Sequence, residues 1–415
     1  MSIPSRARRP STACRSHPRR SLSRRSLLAT VGAGLTTALA GCSQLSSSTS
    51  CSTVTPGAGD WPQVGHDARH TGADTTLPDV PAGGVHWRTD LGDDLDPAGV
   101  AVDGDKVVVG GRRAPNAGFL GQWSLGDGET LETTDLDARV TGPPVLTGDI
   151  VLVCCTAPDG TNTLRAYDRA WNEWWRRPRG GSHAQPTPTV AGSTVYGGDS
   201  DGTVFALDAA DGTPRWERTF GDERQGGAVH APVTVGDAGV YVPVASSREQ
   251  GIYCLSPEDG QTRWQQEWVD VQSVMALTDD LLLVSYPSYE VAAFDAETGE
   301  RRWSTGLDSR RISPPTVADD TVVVADETGL YGLDVATGKR RWKRTTDATA
   351  FARPVVAGDT VVAQTTDGLV GCSVSTGKRR WTVEESSGVP VVPVEHGFVF
   401  SPEPNALAVY TGCRS

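Results

Sequence analysis

The sequence predicts an all-β fold: an eight-bladed β-propeller of four-stranded blades, closed by strands from the two ends of the chain. Three observations lead there. A frame of the form A-x-D-x-x-T-G-x-x-x-W recurs, and from Trp216 onward its tryptophans lie 48, 39, 39 and 39 residues apart. The 415 residues include 47 Gly and 27 Pro, a surplus of turn formers that excludes a helix bundle. Between the turns lie short Val-rich runs of strand length, such as Thr321-Val-Val-Val. A unit of about forty residues built this way cannot bury both of its faces alone, so units must stack radially.

Each element follows from the frame. An inner strand begins after a proline, as in Pro315-Thr-Val and Pro354-Val-Val, and an Ala-Asp-Asp or Ala-Gly-Asp turn leads to the second strand. Hairpins such as Asp201-Gly202 and Asp367-Gly368 lead to the A-x-D strand, and T-G turns the chain into the outer strand that bears the tryptophan. Clear copies end at Trp216, Trp303, Trp342 and Trp381. Weaker ones end at Trp264, at Glu132 (where Glu replaces Trp), and at Trp175, one residue off register. These make seven blades. The eighth starts at Val389 and reaches Gly412 without a tryptophan, while Gly83-Gly-Val-His-Trp87 supplies the missing half of the frame. Pairing the Trp87 strand with residues 406–410 removes a free sheet edge. The lead-in Asp60-Trp-Pro-Gln-Val-Gly-His-Asp-Ala-Arg-His-Thr-Gly72 is expected to pack across the closing blade.

The repeated A-x-D-x-x-T-G-K-x-x-W frame resembles the tryptophan-docking motif of PQQ-like, quinoprotein-type propellers, over residues 83–412. The resemblance implies that Trp87, Trp216, Trp264, Trp303, Trp342 and Trp381 each pack against a neighbouring blade's turn. The chain also resembles the propeller lipoprotein of the outer-membrane barrel assembly machine, which implies a non-catalytic, protein-binding scaffold. The alternative is a PQQ-dependent quinoprotein dehydrogenase. Those enzymes carry large insertions with carboxylate ligands for calcium, whereas the segments between blades here are short. The expectation is therefore no catalytic residue, no metal and no PQQ.

The first sixty residues read as an address and a tether. Residues 1–41 hold eight Arg and no acid. Arg24-Arg25 followed by Ser-Leu-Leu resembles a twin-arginine export signal, and residues 27–40 form an apolar run too short to span a membrane. Leu39-Ala40-Gly41-Cys42 resembles a lipobox, which implies a lipidated Cys42 as the mature N-terminus. Residues 42–59 are Ser/Thr-rich and read as a flexible linker, leaving 60–415 as the propeller. The expected location is the outer face of the cytoplasmic membrane, for a monomer tethered by lipid and bound to a protein partner.

Past residue 41 the chain carries 30 basic against 51 acidic residues, a balance that repels phosphate backbones and argues against nucleic acid as a partner. Only Lys106, Lys339, Lys343 and Lys378 are lysine. An acidic, Lys-poor surface resembles that of proteins secreted by halophilic archaea.

Five patterns invite a chemical reading. Cys154-Cys155 could mimic the vicinal disulfide of quinoprotein alcohol dehydrogenases, but adjacent residues of a strand point to opposite faces, so they read as structural. Cys254 and Cys372 read as small core residues, and Cys51 and Cys413 flank the body and could pair after export. His66 and His70 have metal-ligand spacing only on a helix. Asp199-Ser-Asp201-Gly202 resembles half a calcium loop but also a hairpin turn. The runs Lys339-Arg-Arg341 and Lys378-Arg-Arg380 read as solvated faces of outer strands. Repeat alignment places Arg139, His183, Gln185, His230, Gln272, Arg311 and Arg353 around the channel mouth, a polar, cationic ring suited to an anionic ligand or partner loop.

Overall fold

Alternating burial shows how each blade is made. In one blade the second strand, Thr321–Asp326, is buried along its whole length. Val322 and Val324 face the core shared with the preceding blade, and Val323 and Ala325 face the core shared with the following one. A strand clamped between two neighbours needs apolar residues on both faces, hence the unbroken Val runs. The outer strand Arg340–Thr345 instead exposes alternate residues and buries only Trp342.

The computed structural model describes residues 50–51 and 60–414, apart from short segments at 93, 114–115, 182–185, 222–227, 246–248, 268–270, 272, 347–351 and 386–387. The predicted signal peptide with Arg24 and Arg25, the lipobox Cys42 and most of the linker lie outside the described residues. No described helix is long and apolar enough to cross a membrane. Eight sheets follow one another. Blade 1 is 95–136, blade 2 139–179, blade 3 189–219, blade 4 234–267, blade 5 276–306, blade 6 316–345 and blade 7 355–383. Blade 8 takes three strands from 392–414 and its fourth, Gly83–Asp90, from the other end of the chain. Trp87 sits opposite Val409, the expected closure.

Five of the outer joints share one form. The indole N–H of Trp87 donates to the Leu125 carbonyl at 2.8 Å, and Trp216, Trp264, Trp303 and Trp342 donate to Pro257, Ala296, Val335 and Val374 of the next blade at 2.7–3.0 Å. Each ring lies on the glycine of the neighbouring turn, which is D-G beside Trp87 and Trp216 and T-G beside Trp264, Trp303 and Trp342. At Gly338 (φ 67°) an added Cβ would sit 2.4 Å from the Trp303 ring, so the left-handed backbone and the contact both require glycine. The frame aspartate shapes that turn. Asp334 accepts from the Thr337 N–H and hydroxyl and from Arg341, which hold its pKa down to about 2. Asp295 repeats this with Thr298 and Arg302. The basic runs before each tryptophan are thus partly tied down, with Arg341 also on Asp320 and Arg380 on Asp79 and Asp359.

Three joints depart from the pattern. Trp175, one residue off register in the sequence, docks normally, donating to Ala209 at 3.0 Å, because its turn is one residue shorter while the same bulge restores the pairing with Ala166. Trp381 donates to Val80, just before the Gly83–Asp90 strand, and stacks on Phe398 and Tyr410, since blade 8 has no T-G turn to offer. Where Glu132 replaces tryptophan, blade 2 supplies the aromatic instead. Trp171 stands in its turn with φ 62° and is buried among Leu120, Leu136 and Val140.

Candidate functional site

The axis of the ring is the place where a ligand or cofactor would sit, and part of it is filled by the chain itself. Each innermost strand presents backbone N–H groups to the channel, and buried donors need acceptors. One residue at or next to the end of each inner strand occupies an equivalent place: Val102, Leu146, Val190, Val235, Leu277, Val317, Val356 and Pro393. The lead-in meets them in order. Val102, Leu146, Val235, Leu277, Val317 and Val356 donate to the carbonyls of Trp61, Pro62, Ala68, Arg69, Thr71 and Gly72 at 2.7–3.1 Å. Val190 donates to the side-chain oxygen of Gln63 at 2.9 Å, and the Gln63 amide returns a bond to the Val190 carbonyl. The eighth position is a proline, which has no N–H to satisfy. The segment then pairs in parallel with blade 7 through Ala73–Asp74.

This corrects the expectation that the lead-in crosses the closing blade. It circles the inner rim of seven blades and plugs that end of the channel. Its sequence fits the path. Asp67 accepts from the Thr71 N–H and hydroxyl, both at 3.0 Å, and closes the central turn. Gly72, at φ 71°, donates back to Gly65, and a Cβ there would strike Thr316 and Arg353.

Within the plug, His70 is fully buried. Its Nδ1–H donates to the Val64 carbonyl at 2.6 Å, while Nε2 faces the Val233 carbonyl at 3.0 Å and, at 2.9 Å, the Thr189 hydroxyl, which itself donates to Val233. Burial, with the Arg353 charge nearby, pushes its pKa down to about 4. Arg353 reaches along the channel from blade 7 to donate to the His70 and Pro315 carbonyls and the Thr316 hydroxyl, and desolvation lowers its pKa to about 10.

Of the other residues placed at the channel mouth, Arg139, His230 and Arg311 are exposed, while His183, Gln185 and Gln272 lie outside the described residues. His66 and His70 do not converge. The His66 ring lies against Trp61 and near Asp74, whereas His70 points between blades 3 and 4. Asp201 caps its own hairpin through the Thr203 N–H, and Asp199, buried beside Gly180, is pushed up to about 7 by desolvation. Cys154 and Cys155 face different inter-blade cores and both thiols are pushed up by burial, so they cannot form a vicinal disulfide over the axis. Among the described residues, no group of three His, Cys, Asp or Glu could hold a metal ion. None of the seven residues that the sequence places at the channel mouth is a carboxylate, the group a divalent ion beside a quinone would need.

Sequence reasoning missed the plug, whose signal was Pro393 at the one inner-rim position without a partner. The fold and its axis define a PQQ-like repeat propeller. Residues 75–247 and 248–391 match the family profile described as outer membrane protein assembly factor BamB, and the chain belongs to that family. It is 28% identical over 265 residues to the assembly factor BamB of Burkholderia pseudomallei, covering 60% of this chain and 66% of that one. It is also 31% identical over 156 residues to the serine/threonine-protein kinase AfsK of Streptomyces griseus, covering 36% of this chain and 19% of that one. The alignments thus span less than two thirds of the curated relatives. Among solved structures, BamB from Moraxella catarrhalis superposes with a TM-score of 0.55 at 19% identity, covering 81% of this chain and 94% of that one. The quinohemoprotein alcohol dehydrogenase ADHIIG from Pseudomonas putida HK5 superposes with a TM-score of 0.69 at 14% identity, covering 86% and 81%. At such identities the likeness is one of fold.

Proposed function

We propose that this chain is a non-catalytic propeller scaffold, exported and held by a lipid on Cys42 at the outer face of the cytoplasmic membrane, where it binds a protein partner as a monomer. The observation that carries the reading is the use of the axis. Seven inner-rim donors are committed to the chain's own segment 61–72, and Arg353 is committed to that segment's backbone. The repeated frame is likewise spent on packing, since its Asp, Gly and Trp contact turns and the next blade. The face we assign to a partner lies before the inner strands, where Arg139, His230 and Arg311 are exposed on an otherwise acidic protein. A cationic rim of that kind suits an acidic partner loop. From the BamB relatives we transfer the scaffold role and not their partners.

Affinity capture from membranes at the salt of the native host tests the scaffold reading. We expect one protein to co-purify in fixed stoichiometry, and a charge-reversed Arg139→Glu variant to lose it while keeping its melting temperature. Capture indifferent to that reversal contradicts the docking face. For the anchor, Cys42→Ser is expected to release the protein from the membrane, whereas Lys at positions 24 and 25 should trap precursor inside the cell. Unchanged membrane association of the Cys42 variant would remove the lipid from the account.

A further inference from the structure

The cysteines among the described residues divide into two kinds. Cys154, Cys155, Cys254 and Cys372 are buried and reduced, each in a different inter-blade core, so no two of them can meet. Burial raises the thiol pKa of all four, which leaves them inert. Cys51 and Cys413 are placed differently. The short strand Ser50–Cys51 pairs antiparallel with the ring-closing strand Ala406–Arg414, and in that register Cys51 is the direct partner of Cys413. Direct antiparallel partners have Cα atoms about 4.5–5.5 Å apart. A disulfide spans Cα separations of about 4.4–6.8 Å, so the register meets the bond without backbone movement.

We propose that Cys51 and Cys413 form a disulfide that clasps the N-terminal tether onto the strand closing the ring. The oxidant is a small-molecule disulfide or a thiol–disulfide oxidoreductase met outside the cytoplasm. One protein thiolate attacks it to give a mixed disulfide and release one thiol. The second protein thiolate then displaces the other thiol, so two protein thiols become one disulfide and the electron pair leaves on two released thiols.

The clasp does two things. The covalent loop it closes runs from residue 51 to residue 413 and contains every blade, so the seam between Gly83–Asp90 and Ala406–Arg414 is backed by a bond as well as by strand pairing. It also shortens the tether. Cys51 lies only nine positions after Cys42, a reach of about 15–18 Å, against roughly 20–25 Å for the linker up to residue 59. Pull from the membrane then enters the ring at its closing strand.

The test uses the full mature chain, purified and treated with oxidised glutathione, so that its outcome does not depend on whether export and lipidation are right. Free thiols are alkylated in denaturant before any reduction, and the digest is mapped by mass spectrometry. We expect one cross-linked peptide pair containing Cys51 and Cys413, lost on reduction, with the four buried cysteines alkylated. Cys51→Ser, Cys413→Ser and the double variant should melt several degrees lower by the same amount. Reductant should lower the wild type to their level and leave the variants unmoved. Alkylation of both residues in the oxidised wild type, or a bond from either to another cysteine, overturns the proposal.

Discussion

The outer and inner circumferences of the ring solve one problem in opposite ways. Outside, six of the eight blades carry their own joint, a tryptophan whose N–H and ring engage the next blade's turn, and the device is copied from blade to blade. Inside, seven blades share one segment that is not copied at all, residues 61–72, which lends each blade an acceptor. A local joint can be altered one blade at a time. A shared one couples all seven, so damage to the plug spreads where damage to a joint stays local.

The largest expected effect breaks an outer joint. Trp303→Ala removes a buried ring and its bond to Val335 and should cost ~3–5 kcal/mol in denaturant unfolding. The inverted joint sharpens the contrast: Glu132→Trp should bring no gain, because Trp171 already fills that interface from the other side. A gain of stability in the Glu132 variant would show the two devices to be compatible.

Next in size is the pH response of the plug. The folded pKa of His70, about 4, lies below its ordinary 6.5. Between those values the unfolded chain binds a proton that the folded one refuses. Stability is therefore complete above pH 6.5 and is lost as pH falls toward 4, by about 3 kcal/mol. Asp199 acts with the opposite sign. Its folded value of about 7 lies above 3.8, so its protonated folded form loses ground as pH rises between the two. The net profile conceals both, and single variants separate them. Melting temperatures of His70→Gln and the wild type should converge as pH drops from 6.5 to 4, and those of Asp199→Asn and the wild type should diverge as pH rises from 4 to 7. Parallel curves would mean that neither group titrates as its burial requires.

The smallest effect separates the eighth blade from the rest. Pro393→Val gives blade 8 a donor with no acceptor and should cost no more than about 1 kcal/mol. Val317→Pro, at the equivalent place in blade 6, removes a bond to Thr71 and should cost clearly more. Equal costs would make the inner-rim pairing incidental.

The same contrast explains what could be read from the sequence. The joints were legible because Asp, T-G and Trp recur at fixed offsets, and repetition reveals a device even where Glu132 or Trp175 breaks its pattern. Closure was legible because Trp87 was half a frame without its other half. The plug was not, because a segment serving seven blades once has no period. Its marks are single residues: Gly65 and Gly72 at positive φ, Asp67 facing Thr71, and Pro393 at the rim. The role of Arg353 was hidden too, since repeat alignment places it at the channel mouth and cannot show that its side chain runs inward to His70.

The claim that the axis is spent on structure is tested most directly by dye-linked oxidation of alcohols and aldoses after incubation with PQQ and calcium. We expect turnover at background, with or without the cofactor. Turnover above background that disappears on mutating one Asp or Glu of the channel would contradict the scaffold account and make the chain a quinoprotein enzyme.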